Sequence, residues 1–296
     1  MIHRRAARLR PSPRQQLLVR TVFGPESSAR EAWETLRPSF DLDRLEEGSY
    51  GLMPLLERRL SAWETDEALA LRLRGIYRHT WYRGNVVLER LKKVVALAAE
   101  QQVDVLVTGE PRLLLRSYRD AGLRPATRID LLVGAEQRDR LAAAVELAGW
   151  SRAPSRERTL WLERTGGPTV ALHSRLAPQR SDEPWLHSVE IDSGMRATSA
   201  TDELLRVCAG EERRFPWYRV QWLADADTLI RQERDEVEWD RLAAVAATSA
   251  ATLTLRDALR DLRNQTNAAI PADTHAQLEL FADPSVRERL LYRLGR

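Results

Sequence analysis

A single cysteine, Cys208, stands among 296 residues. That excludes an intramolecular disulfide framework and a cysteine-based zinc site, and it fits a reducing compartment. No stretch approaches the roughly 18 consecutive apolar residues that a membrane span needs. The start, MIHRRAARLRPSPRQQLLVR, has no apolar segment of the kind that marks a secretory signal, so the expectation is a cytoplasmic protein with no membrane partner; the same acid-free, Arg-rich start also resembles an organellar transit peptide. Lysine is almost missing, since Lys92 and Lys93 are the only two among 46 basic residues. Acidic residues number 43 and are interleaved with the basic ones along most of the chain, so a net charge of +3 argues against nucleic acid as the partner. The exception is the start, where Arg4, Arg5, Arg8, Arg10, Arg14 and Arg20 precede any carboxylate. A solvated arm explains them more economically than a phosphate-binding one. The five histidines (His3, His79, His173, His187, His275) show no metal-ligand spacing, and the phosphate-cradling, dinucleotide-binding, zinc-protease and serine-hydrolase motifs are all absent.

What is present is an ordinary globular balance, 43% hydrophobic and 30% charged, sufficient for one large domain or two modest ones. From about Pro13 to Glu100 apolar residues recur at helical spacing, most clearly in Leu17 to Val22, Leu52 to Leu60, Leu69 to Leu73 and Arg83 to Glu100. The period then changes. VDVLVT (Val103 to Thr108) reads as a strand, Gly109 as a turn, and Pro111 to Tyr118 as a helix with proline in its first turn. A second strand, TRIDLLV (Thr127 to Val133), leads to a helix from Glu136 to Ala148, and RTLWLER with TVALH flank a Thr165-Gly166-Gly167-Pro168 turn as an antiparallel pair. Helical spacing returns from Ser199: a helix through Cys208, then Trp217 to Arg231, Trp239 to Ala247 and Thr252 to Arg263, with Pro271 and Pro284 breaking the tail before a short helix from Val286 to Leu294. The expected organisation is a helical region over 1–100, an α/β core over 101–197 and a helical region over 198–296.

The order of the motifs is more specific than any one of them. Val107-Thr108-Gly109, Tyr118, Leu123-Arg124-Pro125, Ile129-Asp130-Leu131-Leu132-Val133, Ala148-Gly149-Trp150, Leu172-His173 and Trp217-Tyr218-Arg219-Val220-Gln221-Trp222-Leu223-Ala224-Asp225 follow one another over about residues 50 to 245. In this order the chain resembles the uncharacterised bacterial nucleotidyltransferase family of the DNA polymerase β-like superfamily. The resemblance implies an α+β fold, a small mixed nucleotidyltransferase-like sheet with helices, flanked by helical N- and C-terminal regions. It also implies chemistry carried by three carboxylates. Two at i and i+2 share a strand face and, with a third on a neighbouring strand, hold two divalent cations that bind a triphosphate and activate the attacking hydroxyl.

This sequence departs from that pattern where it matters most. Arg128-Ile129-Asp130 stands in place of Asp-x-Asp, and Ala171-Leu172-His173 in place of Glu-Leu-His; Thr108 replaces a lysine, Glu110 follows the glycine, and Ala209-Gly210 replaces His-Gly. Asp130 alone is left as a candidate metal ligand, and Arg128, on the same strand face, would pair with it and compete with a cation for its place. Arg128 could instead hold a phosphate without metal. Candidate catalytic residues are Asp130 and His173; candidate cofactor-binding residues are Gly109, Glu110, Arg124, Arg128 and Asp225. Each has a plainer reading: Asp130 as a structural carboxylate held by Arg128, Gly109 as a backbone turn, Arg124 as a solvated loop side chain, His173 as a satisfied polar residue, Asp225 as a helix-surface carboxylate near Arg219 or Arg231, and Glu110 as a charge that repels a triphosphate. The run Arg213 to Arg219 could stack bases but is better explained by Trp217, Val220, Trp222 and Leu223 packing in a core, and Cys208 by an apolar helix face. Two functions follow. The first is a degenerate family member that binds a nucleotide, a phosphorylated small molecule or a partner protein as an accessory in a biosynthetic pathway. The second is an active transferase that uses an NTP and Mg²⁺ on an unknown acceptor, drawing on Asp130 with Glu110 or His173.

Overall fold

The computed structural model describes residues 11–63, 66–154, 159–176, 178, 185, 187–191, 194–210, 215, 218–280, 288–289 and 292. The chain folds into two compact units, one of Met1–Tyr77, Ala177–Gln179 and Leu204–Arg296, the other of Arg78–Leu176 and Arg180–Glu203. No helix among the described residues is long and apolar enough to cross a membrane.

The first unit is helical. Helix α1 (Pro13–Phe23) opens with a reciprocal cap, in which the Ser12 hydroxyl accepts from the Gln15 backbone and the Gln15 side chain accepts from the Ser12 backbone. Helix α2 (Glu26–Leu36) buries Ala29, Ala32, Trp33 and Leu36 at i, i+3, i+4 and i+7, and α3 (Met53–Leu60) buries five of its eight residues. Helix α4 (Glu67–Glu100) is one continuous helix of 34 residues that includes both of the apolar segments read from the sequence, Leu69 to Leu73 and Arg83 to Glu100; its residues to Tyr77 belong to this unit and the rest to the second.

The second unit is built on a seven-stranded mixed sheet in the order β3-β4-β5-β2-β1-β7-β6. Its members are β1 (Val105–Thr108), β2 (Arg128–Val133), β3 (Ser151–Arg152), β4 (Thr159–Glu163), β5 (Thr169–His173), β6 (Val189–Glu190) and β7 (Arg196–Ala197). The central strands alternate strictly. Val107, Ile129, Leu131, Val133, Leu160, Leu162, Val170 and Leu172 turn to one side, where they pack with Val87, Leu91, Val94 and Ala98 of α4 and with Leu141, Ala142 and Val145 of α6 (Arg138–Leu147). By the same alternation Thr108, Arg128, Asp130, Thr159, Trp161, Ala171 and His173 all face the opposite side. After β1 the chain forms one short α-helical stretch, α5 (Gly109–Arg112), and then widens into π-helical turns over Leu113–Tyr118, ended by Arg119 at φ 56°. β6 and β7 are two residues each, too short to leave an alternation in sequence, and β7 joins the edge by pairing parallel to β1 at Val107 and Ala197.

Helix α7 (Ala200–Ala209) begins in the second unit and ends in the first, with Cys208 buried. In the helical unit follow α8 (Gln221–Gln232), α9 (Trp239–Thr248), α10 (Thr252–Thr266) and α11 (Ala272–Leu280). Val220, Trp222 and Leu223 are buried as the sequence suggested, whereas Trp217 and Arg213 lie outside the described residues. The tail after Pro271 was expected to be broken, yet α11 starts directly behind that proline, which suits a first helical turn. Most of the short helix expected over Val286 to Leu294, like Arg4, Arg5, Arg8 and Arg10, lies outside the described residues.

Candidate functional site

Register brings the candidates together. β1 runs antiparallel to β2 with Thr108 opposite Asp130, and β2 runs parallel to β5 with Asp130 beside Ala171 and Leu132 beside His173. β4 pairs with β5 so that Thr159 is opposite His173 and Trp161 opposite Ala171. The place next to Asp130 on the neighbouring strand is therefore a methyl group.

Asp130 is 2% exposed, and each of its oxygens is engaged. Oδ1 lies 3.0 Å from His173 Nε2; Oδ2 lies 3.5 Å from Arg128 Nη2 and 3.4 Å from the Glu110 backbone nitrogen. His173 Nδ1 is 3.1 Å from the Thr159 hydroxyl. An ionised carboxylate only accepts, so His173 donates from Nε2, and Nδ1 of a neutral ring then accepts the Thr159 proton. This chain of donors fixes both the tautomer and the plane of the imidazole. Trp161 borders it, with its ring centroid 6.4 Å from that of His173 and 5.9 Å from the Arg128 guanidinium carbon.

Arg128 also reaches the second carboxylate. Its Nε lies 3.8 Å from Glu110 Oε1, and Arg124 Nη1 lies 3.8 Å from the same oxygen. The other oxygen of Glu110 accepts backbone N–H groups from Thr127 at 2.7 Å and Arg128 at 2.9 Å. Glu110 thus ties the start of β2 to the glycine turn. Arg124 is not the solvated loop residue of its plainer reading: it is 2% exposed and donates to the Pro125 carbonyl at 2.9 Å.

Gly109 has a stereochemical reason to be glycine. Its φ is +64°, a left-handed conformation, and a Cβ there would stand 2.6 Å from Asp130 Oδ2 and 2.8 Å from Asp130 Cγ. The turn is held from behind by Glu203, buried, whose Oε2 accepts from the Thr108 hydroxyl at 3.0 Å, the Thr198 hydroxyl at 3.0 Å and the Gly109 backbone at 3.4 Å. Arg112, fully buried one turn along, donates to the Thr198 carbonyl and the Ser117 hydroxyl. Asp225 is placed in the helical unit and is not a surface carboxylate. It is wholly buried, accepting from the Tyr218 hydroxyl at 2.6 Å and the Gln221 amide at 3.0 Å.

Thr159, Trp161, Glu203 and Arg112 were not singled out in the sequence. The first two carry a signal, since they alternate with Leu160 and Leu162 on one strand. Glu203 carries none, because an acidic residue in a first helical turn ordinarily faces solvent at the positive end of the dipole.

The family model described as "Uncharacterised nucleotidyltransferase" matches residues 49–263. The chain belongs to this nucleotidyltransferase family. Among solved structures, the crystal structure of ANT(2")-Ia in complex with adenylyl-2"-tobramycin is 14% identical with a TM-score of 0.42, covering 57% of this chain and 98% of that one. A solution structure of the antibiotic-resistance factor ANT(2'')-Ia is 16% identical with a TM-score of 0.36, covering 62% of this chain and 94% of that one. At these values the likeness does not extend to function. No curated protein matches the sequence.

The residues do not fit the pair of divalent ions that family membership implies. Mg²⁺ needs several hard oxygen ligands in near-octahedral array. Here both Asp130 oxygens already accept hydrogen bonds or an ion pair, Ala171 offers no oxygen, and Glu110 is committed to two backbone donors. Among the described residues no group of three or more His, Cys, Asp or Glu side chains is placed to hold a metal ion. A cation bound at Asp130 Oδ2 would have to share that oxygen with the guanidinium of Arg128, 3.5 Å away.

Proposed function

We propose that this nucleotidyltransferase-family protein does not carry out two-metal nucleotidyl transfer and acts as a binding accessory in a biosynthetic pathway, its ligand a nucleotide or another phosphorylated small molecule. The observation that carries the reading is the bridge made by Arg128 between Asp130, at 3.5 Å, and Glu110, at 3.8 Å. The bridge supports the reading because a guanidinium this close to Asp130 and Glu110 competes with any metal ion for their oxygens. The same arrangement supports phosphate binding without metal. The Arg128 and His173 side chains are each 23% exposed, so each keeps an accessible edge beside its buried partners, and Trp161 stands next to both as a stacking surface.

Titration calorimetry with nucleoside triphosphates, with EDTA and then with Mg²⁺, tests this. Binding that is unchanged by Mg²⁺ and weakened by Arg128→Gln is the expected result. Tight binding that requires Mg²⁺ and disappears in Asp130→Ala would overturn it and restore the active transferase.

A further inference from the structure

The open part of the sheet site sets opposite charges side by side. Side-chain exposure is 23% at Arg128 and 15% at Glu110, against 2% at Arg124 and 3% at Asp130. A ligand approaching this face therefore meets one guanidinium and one carboxylate. Within the group the charges of Arg124 and Arg128 are balanced by those of Glu110 and Asp130. Arg175, also exposed, lies past the end of β5, whereas the β5 residue registered with Arg128 is Thr169, at its start. Among the described residues, the exposed charge next to the Arg128 guanidinium is thus an anion.

The two carboxylate oxygens of Glu110 are unequally used. Oε2 accepts from the Thr127 and Arg128 backbones at 2.7 Å and 2.9 Å, whereas the arginine nitrogens paired with Oε1 both stand 3.8 Å away, beyond hydrogen-bond reach. Oε1 is an acceptor still able to take a donor from a ligand. A phosphate group suits the open edge of Arg128, since a guanidinium gives two parallel hydrogen bonds to one phosphate. A second phosphate joined to the first would bring further negative charge towards Glu110 and Asp130, and like charges repel strongly where water is partly excluded. A sugar hydroxyl in that position would instead donate to Oε1. Trp161, part-exposed and with its ring centroid 5.9 Å from the Arg128 guanidinium carbon, can stack a base.

We propose that this face takes a nucleoside monophosphate, its single phosphate on Arg128, a sugar hydroxyl on Glu110 and its base against Trp161, and that Glu110 discriminates against longer phosphate chains. The inference rests on the reading that the site binds a phosphorylated small molecule, and it names which one. Glu110 is then the specificity-determining residue, because it turns the place beside the phosphate into a seat for a donor and not for a second anion.

Calorimetry of the full chain in EDTA with AMP, ADP, ATP, ribose 5-phosphate and inorganic phosphate tests it; stacking tolerates any base, so adenine nucleotides serve as probes. Affinity is expected to fall from AMP to ADP to ATP, with AMP about tenfold tighter than ATP, the equivalent of one like-charge contact in a partly screened site. AMP should exceed ribose 5-phosphate by about tenfold, and Trp161→Leu should remove that excess. Glu110→Gln should bring the AMP and ATP affinities together, and a ratio taken within one variant does not depend on how much that variant is destabilised. ATP bound as tightly as AMP by the parent, an AMP-to-ATP ratio unmoved by Glu110→Gln, or inorganic phosphate bound as tightly as AMP would each overturn the proposal while leaving a phosphate-binding site in place. Absence of binding by all five compounds would refute that site, and the proposal with it.

Discussion

Replacing Gly109 by alanine should be among the most damaging single-methyl additions in the sheet unit, and its cost can be built from two parts. The backbone at φ +64° costs an L-residue about 1–2 kcal/mol more than glycine. The new Cβ would then stand 2.6 Å from Asp130 Oδ2, and that oxygen cannot simply swing aside, because it faces the Glu110 backbone at 3.4 Å and Arg128 at 3.5 Å while the other oxygen holds His173 at 3.0 Å. Moving it loosens a buried charge from its donors, a further cost of about 1–3 kcal/mol. The sum is roughly 2–5 kcal/mol. Urea titration gives the total, and hydrogen exchange of the β1 and β2 amides shows whether the loss falls in this unit. Asp130→Gly removes the obstacle but orphans Arg128 and His173, so it is damaging alone. In the double variant the collision is gone, and the combined loss should fall short of the sum of the single losses by about 1–3 kcal/mol. Strict additivity would refute the claim that Asp130 is pinned against the glycine turn.

The other consequences are smaller. Glu110→Ala removes the acceptor for the Thr127 and Arg128 backbones and should lower stability by about 1–3 kcal/mol, partly relieved by water because Thr127 is exposed; Glu110→Gln, which keeps one acceptor, should lose less in the same titration. Thr159→Val leaves His173 Nδ1 without its donor and should cost about 1 kcal/mol while lowering any affinity for phosphorylated ligands that depends on the imidazole edge. Asp227 has its carboxyl raised above the usual 3.8 by burial, against the opposing pull of Arg231. A folded state that binds the proton more tightly loses stability as pH rises from about the unfolded value through the raised one, and the loss stays constant above that. The difference in unfolding free energy between the parent and Asp227→Asn should therefore change across that window and level off at higher pH.

Much of the sheet and part of the site are readable in the residues alone. Strict alternation in RIDLLV, TLWLE and TVALH puts the branched apolar side chains on one side and Arg128, Asp130, Trp161 and His173 on the other, so the meeting of Arg128 with Asp130 follows from period two. The contact of His173 with Asp130 depends on the parallel register of β5 against β2, which sequence spacing does not set. Glu110 reads as a repulsive charge until the turn is folded and its carboxylate is seen capping backbone donors. Arg124 and Asp225 illustrate a common failure, since charged residues are rarely fully buried and a sequence does not display the partners that make burial tolerable. Helix α2 carries a helical spacing in Ala29, Ala32, Trp33 and Leu36 that the sequence reading did not single out, whereas α11 has almost no amphipathic pattern to follow.

On the proposed reading, Arg128 and Ala171, rather than a rearranged backbone, keep this chain from two-metal chemistry. Calorimetry of the parent and of the combined variant Arg128→Asp with Ala171→Glu, titrated with ATP in Mg²⁺ or Mn²⁺, tests it directly. The account predicts that Mg²⁺ adds nothing to the parent, whereas the variant gains metal-dependent triphosphate binding. A parent that already binds metal-ATP tightly through Asp130, with no gain in the variant, would contradict it.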